Sequence, residues 1–280
     1  MRKFKFIVAA VAAFALAALV LVGCSSGGSS ASASKSASSA SSGAYTLTVG
    51  FDAEYPPYGF VGNDGQYTGF DLDLAKAVCD KLGWEFKAEP IDWDAKDALL
   101  NSGTINCIWN GFTIEGRENN YSFSDPYMLN EQVIVVKAGS NIADLAGLAG
   151  KTVMTQADSA ALEVLSDPEG KKSLADTFAS LQTIGDYNNA FMQLDSGMVD
   201  AVACDLSIAQ YQLSANPSKY VKLDEALSSE HYGVGFAKSD TETPAKVTKA
   251  LKELDEDGTV KKLCEKYAEY GMDYSNWVLK

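Results

Sequence analysis

Arg117 and Asp205 carry opposite charges in surroundings that suit them to chemistry. Arg117 closes the polar loop that begins at Asn110, and Asp205 closes the apolar run Ala201-Val202-Ala203-Cys204. A guanidinium holds a carboxylate through two parallel hydrogen bonds, and a carboxylate pairs with an ammonium. Used together, they grip the two ends of a zwitterion. Tyr55 and Trp93 offer aromatic faces to cover the rest of such a molecule, while Asn110, Gly111, Thr113 and the backbone amides near Ser159 complete the lining. This set suits a free amino acid. Asp52 and Glu54 flank Tyr55 and can read a polar ligand side chain, or they are solvated loop acids.

Each residue also has a plainer reading. Arg117 can pair with Glu115 or Asp125 at the surface, Asp205 can cap the next turn, and Trp93 and Tyr55 can be core aromatics. His231 is the only histidine and has no nucleophile or metal partner in the sequence. No metal, cofactor or catalytic residue is expected.

The elements that must position these residues come in a repeated unit. From Asp92 to Arg117 the pattern predicts a capped helix with Trp93, Ala95, Ala98 and Leu99 near one face. Gly103 ends it, a buried strand follows at Ile105 to Trp109, and the polar loop lies past that strand's carboxyl end. In open α/β sheets ligands bind there. The same grammar returns 94 residues later, from Asp186 to Ser207. Two copies at that spacing predict two similar lobes rather than an array.

Around these units, strands are predicted at Tyr45 to Phe51, Trp84 to Ile91, Gly150 to Thr155 and Ser180 to Ile184. Pro56-Pro57 should hold the first loop extended and aim Tyr55 and Tyr58 away from the sheet. Helices are predicted at 72–82, 160–165, 244–255 and 260–270. The runs Glu131 to Val136 and Glu230 to Ala237 read as two strand crossovers, which make a hinge.

The chain opens with Arg2, Lys3 and Lys5, then an apolar run from Phe6 to Val22. This is a signal peptide or an anchor by length, and Leu21-Val22-Gly23-Cys24 looks like a bacterial lipoprotein signal in which Cys24 becomes lipidated. Residues 25–43 are almost wholly Ser, Ala and Gly, a tether that keeps the folded part about 20–25 Å from its anchor. The expected organisation is a leader at 1–23, a lipid-anchored linker at 24–43, a first lobe from 44–130 and 234–280, and a second from 131–233. Of 23 Lys and Arg, three lie in the leader, so 20 face 37 Asp and Glu in the mature chain, a net charge near −17. Nucleic acid is an unsuitable partner. Cys79, Cys107, Cys204 and Cys264 show no metal-like spacing and read as buried free thiols, with a disulfide the alternative in an exported protein.

Three motifs carry a family resemblance: GFDLDLAKAV at Gly69 to Val78, NGFTIEGRENNYSFSDPY at Asn110 to Tyr127, and SGMVDAVACD at Ser196 to Asp205. From about Tyr45 onward the chain resembles the polar amino-acid-binding proteins of ABC importers, solute-binding family 3. The resemblance implies an α/β, two-lobe periplasmic-binding-protein-like type II fold, with a mixed sheet and flanking helices in each lobe. It implies that Arg117, helped by backbone groups at Ser159, binds the ligand α-carboxylate and that Asp205 binds the α-ammonium. Gly111 and Thr113 then donate and accept at the same head group, and Tyr55 and Trp93 form the aromatic wall. The loop from Thr113 to Arg117 is one residue shorter than the usual pattern, and Asp158-Ser159-Ala160 stands where a Gly-Ser/Thr-Ser/Thr run is more common.

The expected function is amino-acid capture by a monomer held on the extracytoplasmic face of the membrane, with delivery to a permease. A polar or cationic ligand side chain fits the nearby acids better than an acidic one. Two other classes compete. A cyclohexadienyl-dehydratase-like enzyme would need an acid or base such as Glu54, and a receptor ectodomain would need a spanning or signalling segment that does not follow Lys280.

Overall fold

Alternating burial of Leu47 and Val49 against Thr46 and Thr48 makes β1 (Thr46–Phe51) a strand with one face inward. It opens the folded part of the computed structural model, which describes residues 44–280. The leader, Cys24 and the linker, on which the anchoring expectations rest, lie outside the described residues. A small antiparallel sheet follows, made of β2 (Glu54–Tyr55), β3 (Gly59–Val61) and β4 (Tyr67–Thr68). Then come α1 (Phe70–Leu82), β5 (Glu85–Pro90), α2 (Lys96–Asn101), β6 (Cys107–Ile108) and β7 (Tyr121–Phe123). The long strand β8 (Met128–Lys137) leads into β9 (Thr152–Gln156), α3 (Ala160–Ser166), α4 (Lys172–Ala175) and β10 (Ser180–Ile184). The chain continues through α5 (Tyr187–Ser196), β11 (Ala201–Asp205), α6 (Leu206–Ala215) and β12 (Tyr220–Lys222). It returns by β13 (Ser228–Tyr232) and β14 (Gly235–Ala237) and ends in α7 (Thr243–Glu256) and α8 (Thr259–Lys266).

Two mixed sheets organise these elements. The first has the order β5-β1-β6-β14-β7, with β14 antiparallel to both neighbours. The second runs β10-β9-β11-β8-β12, and β13 also pairs with β8. Both copies of the repeated unit place their strand, β6 or β11, in the middle position. All five residues of β11 are buried, as a central strand covered on both faces requires. On α7, Val247, Ala250, Leu251 and Leu254 recur at helical spacing and are buried.

The second copy follows its expected chemistry closely. The Asp186 side chain accepts from the Asn189 N–H and caps α5, and Gly197 ends that helix at φ 76°. Gly103 does the same for α2 at φ 76°, where a side chain would be strained. The first copy departs at its start. Asp92 forms no side-chain cap, and Trp93–Ala95 is a 3₁₀ turn that α2 follows from Lys96. The tighter turn rotates the following face, so Lys96 and Leu100 are buried while Ala98 is exposed.

Two further expectations are corrected. Tyr55 and Tyr58 do not point away into an extended loop, because Tyr55 pairs with Gly59 in a hairpin and both rings are buried. They pack with Tyr187 and Tyr232. The return run is also not one strand. It breaks at Gly233 and Val234, whose N–H groups turn to the Phe112 carbonyl and the Ser124 hydroxyl. A Cβ on Gly233 would come 2.8 Å from Ile114, so the close approach needs glycine. The four cysteines among the described residues, Cys79, Cys107, Cys204 and Cys264, are free and buried.

Candidate functional site

The loop after β6 carries Arg117 into the interior. Its guanidinium is 4% exposed and lies 4.8 Å from the centre of the Phe112 ring. Nη1 donates to the Thr113 carbonyl at 3.4 Å, while Nε and Nη2 donate to Glu163 Oε1 at 3.2 and 2.9 Å. Glu163 belongs to α3 beside the second sheet. The surface partners considered for Arg117 are occupied elsewhere: Glu115 accepts from the His231 N–H, and Asp125 lies 3.6 Å from Lys252.

Asp205 ends β11 and precedes α6, yet its carboxylate makes no capping bond. Oδ1 accepts instead from Asn130 Nδ2 at 2.9 Å, Gln132 Nε2 at 2.7 Å and the Tyr232 hydroxyl at 2.7 Å. The group is 4% exposed, and burial raises its pKa against the pull of these donors. Nothing in this set supplies a positive charge.

Asp158 occupies a left-handed conformation at φ 54°, which residues with a side chain rarely adopt. Its carbonyl collects three donors from the first lobe: Trp93 Nε1 at 3.2 Å, Lys96 Nζ at 3.4 Å and Arg117 Nη2 at 3.5 Å. Ser159 then caps α3 by accepting from the Leu162 N–H, and its hydroxyl lies 3.1 Å from that of Thr155. Its side chain is thus spent on the fold, and any ligand contact there falls to the backbone.

The remaining residues divide. Gly111 has φ 59°, and a Cβ would meet the Tyr232 ring at 3.0 Å. Its N–H donates to the buried Asp71 at 2.6 Å, so only its carbonyl can serve a ligand. Thr113 donates its hydroxyl to Glu230 at 2.8 Å. Trp93 and Tyr55 are each buried in a hydrophobic cluster, as core aromatics are, and each also lines a cavity.

That cavity brings Tyr55, Trp93, Gly111, Thr113, Arg117, Ser159 and Asp205 together, with Gln156 and Ala160 completing its wall. It measures about 10 Å³, room for no more than one water, so a larger molecule does not fit in this arrangement. Two expected residues stand outside it. Asn110 is buried with its amide turned toward Gly59, where an added Cβ would sit 2.5 Å from Oδ1. Asp52 accepts from Gln156 Nε2 at 2.7 Å and so orients a cavity residue rather than lining the cavity itself. Asp52 instead borders a larger recess of about 500 Å³ beside Trp93, which also holds Glu54, Asp92, Asp94 and Asp186. Glu54 is exposed in that recess and accepts from Asn188 at 3.2 Å.

Sequence reasoning missed Asp71, Lys96, Asn130, Gln132, Gln156, Glu163 and Glu230. Gln132 and Glu230 left little signal, because Gln132 stands at the polar start of its strand run, after Asn130 and Glu131, and Glu230 lies among Ser228, Ser229 and His231. Glu163 left none, because an exposed-looking acid on a short helix is ordinary.

Comparison with known proteins agrees with this architecture. Residues 47–270 match the model of the bacterial extracellular solute-binding proteins, family 3. The chain is similar to the L-cystine-binding protein TcyJ of Escherichia coli, at 30% identity over 232 residues, covering 81% of this chain and 84% of that protein. Among solved structures it is similar to Tv2483 bound to L-arginine, with a TM-score of 0.76 and 31% identity over 84% of this chain and 93% of the other. A histidine-bound ABC uptake transporter substrate-binding protein from Streptococcus pneumoniae gives a TM-score of 0.75 and 36% identity over 79% and 92%. With its two mixed sheets in the type II periplasmic-binding arrangement and a family match spanning most of its length, the chain belongs to the bacterial extracellular solute-binding proteins, family 3.

Proposed function

We propose that this protein captures a free amino acid between its lobes and delivers it to an ABC permease. The observation that carries the reading is that Arg117, reaching in from the first lobe, and Asp205, ending the central strand of the second, line one cavity with Tyr55 and Trp93. The guanidinium takes the α-carboxylate, displacing Glu163, and Asp205 takes the α-ammonium. Thr113 and the Gly111 carbonyl complete the head-group contacts. The ligand side chain passes Trp93 toward the acid-lined recess, which favours polar and cationic side chains over acidic ones. Opening runs through the segments between β7 and β8 and between β13 and β14. Lipid on Cys24 holds the protein on the extracytoplasmic membrane face, within reach of the permease.

Calorimetric titration with each of the common amino acids and with L-cystine tests the reading. Binding is expected for a polar or cationic member; no binding by any of them contradicts it. An enzymatic role has less support, because Glu54, the acid it would use, is exposed in the recess and outside the cavity that Arg117 lines.

A further inference from the structure

We propose that Glu230, a residue of the return strand β13, is the positioning residue of the ammonium half of this site: it fixes the two amides that hold Asp205 and adds a second carboxylate behind it. The inference rests on the amino-acid reading above.

Strand register places the groups together. β8 lies between β11 and β13, with Gln132 opposite Asp205 on one side and Asn130 opposite Glu230 on the other. Asn130 and Gln132 are two apart on their strand and share a face. Each primary amide has two hydrogens, and each divides them between the same two oxygens. Asn130 Nδ2 donates to Asp205 Oδ1 at 2.9 Å and to Glu230 Oε1 at 2.8 Å. Gln132 Nε2 donates to the same pair at 2.7 and 2.8 Å. Thr113 adds a third donor to Glu230 Oε1 at 2.8 Å and ties the first lobe to this group.

The charge balance of this cluster points to a cation. Asp205 and Glu230 are 4% and 3% exposed, and no Lys or Arg among the described residues pairs with either. The groups that donate to them are neutral, Asn130, Gln132, Thr113 and Tyr232, and the nearby phenols Tyr55, Tyr58 and Tyr187 are neutral too. Arg117 lines the same cavity as Asp205, but its donors end on Glu163 and on the Thr113 and Asp158 carbonyls. His231 is next in sequence but turns to the opposite face, with Nδ1 2.7 Å from Glu115. Two buried carboxylates that share donors and have no cation paired directly to either repel each other, and an ammonium resting on Asp205 relieves that. Burial first, and the charge of Asp205 second, push the Glu230 carboxyl up to about 7. A bound ammonium favours the ionised form, so affinity rises as pH rises through neutrality.

Glu230→Gln separates charge from structure, because all three donors end on Oε1 and an amide oxygen can receive them in the same way. The probes are L-arginine, L-histidine and L-cystine, titrated calorimetrically between pH 6 and pH 8. Wild type is expected to bind about tenfold more tightly at pH 8 than at pH 6, one pKa unit being one factor of ten. Glu230→Gln is expected to change by less than about twofold over the same range. A variant that keeps the wild-type pH dependence overturns the assignment and leaves the amino-acid reading intact, whereas no binding by wild type at any pH overturns both. Wild type alone supplies a second measurement should the variant fail to fold. Titration near pH 6.5 in buffers of different ionisation enthalpy should show proton release on binding, and none would overturn the assignment.

Discussion

Arg117 and Glu163 join the two lobes through a side-on contact in which both Nε and Nη2 of the arginine end on one oxygen of the glutamate. The guanidinium is buried and the carboxylate nearly half exposed. If Arg117 takes the ligand carboxylate as proposed, Glu163 is an internal competitor for it. Glu163→Ala is expected to tighten amino-acid binding by up to about fivefold, the equivalent of a screened ion pair worth about 1 kcal/mol at most. Titration calorimetry reads this directly, and weaker binding would show that the pair serves closure instead.

Truncating either head-group anchor is expected to cost far more. Arg117→Ala or Asp205→Ala should weaken binding by about 2–5 kcal/mol, the range for removing one partner of a buried, hydrogen-bonded charge pair. Arg117→Lys should recover only part of it, since a point charge cannot supply the two parallel bonds. Binding by either alanine variant within threefold of wild type would contradict these roles.

Acid should stabilise the ligand-free protein over the neutral range. Asp71 is fully buried, accepts from the Gly111 N–H and the Tyr127 hydroxyl, and has its carboxyl pushed up from 3.8 to about 7 by burial. Glu230 moves the same way, and Asp52 and Asp205 are raised too. With folded pKa values above the unfolded ones, the folded state binds more protons between about pH 4 and 7, so this stability is present at low pH and lost as pH rises toward 7. The Tm at pH 5 is expected to exceed that at pH 8, and Asp71→Asn should reduce the difference. A higher Tm at pH 8 in wild type would contradict the assignment.

Asp158 holds a left-handed conformation while its carbonyl gathers Trp93, Lys96 and Arg117. Asp158→Gly keeps that carbonyl and removes backbone strain, at the loss of a half-exposed contact to Lys96. Thermal unfolding is expected to show a gain of about 0.5–1 kcal/mol. A loss of that size would mean the Lys96 pair outweighs the strain.

The sequence was most readable where one local cause decides the structure. Gly103 and Gly197 end their helices because each must turn left-handed, and the alternation in β1 and the apolar run of β11 can only be strands. The convergence of Arg117 and Asp205 on one cavity follows the repeated unit, since Arg117 lies in the loop past one central strand and Asp205 ends the other. What stayed hidden depends on contacts between distant segments. Nothing local to Asn110 tells that its amide faces Gly59, or that the Gly111 N–H is taken by Asp71. The 3₁₀ turn at Trp93 answers to the Asp158 carbonyl, 65 residues away, and Glu163 is drawn to Arg117 only because the lobes meet.

The most direct test is a crystal structure of the protein with the tightest-binding amino acid. The account requires the α-carboxylate within about 3.2 Å of the Arg117 guanidinium, with Glu163 displaced, and the α-ammonium at the same range from Asp205. A ligand bound with these ends reversed, or seated only in the acid-lined recess while Arg117 keeps Glu163, would contradict it.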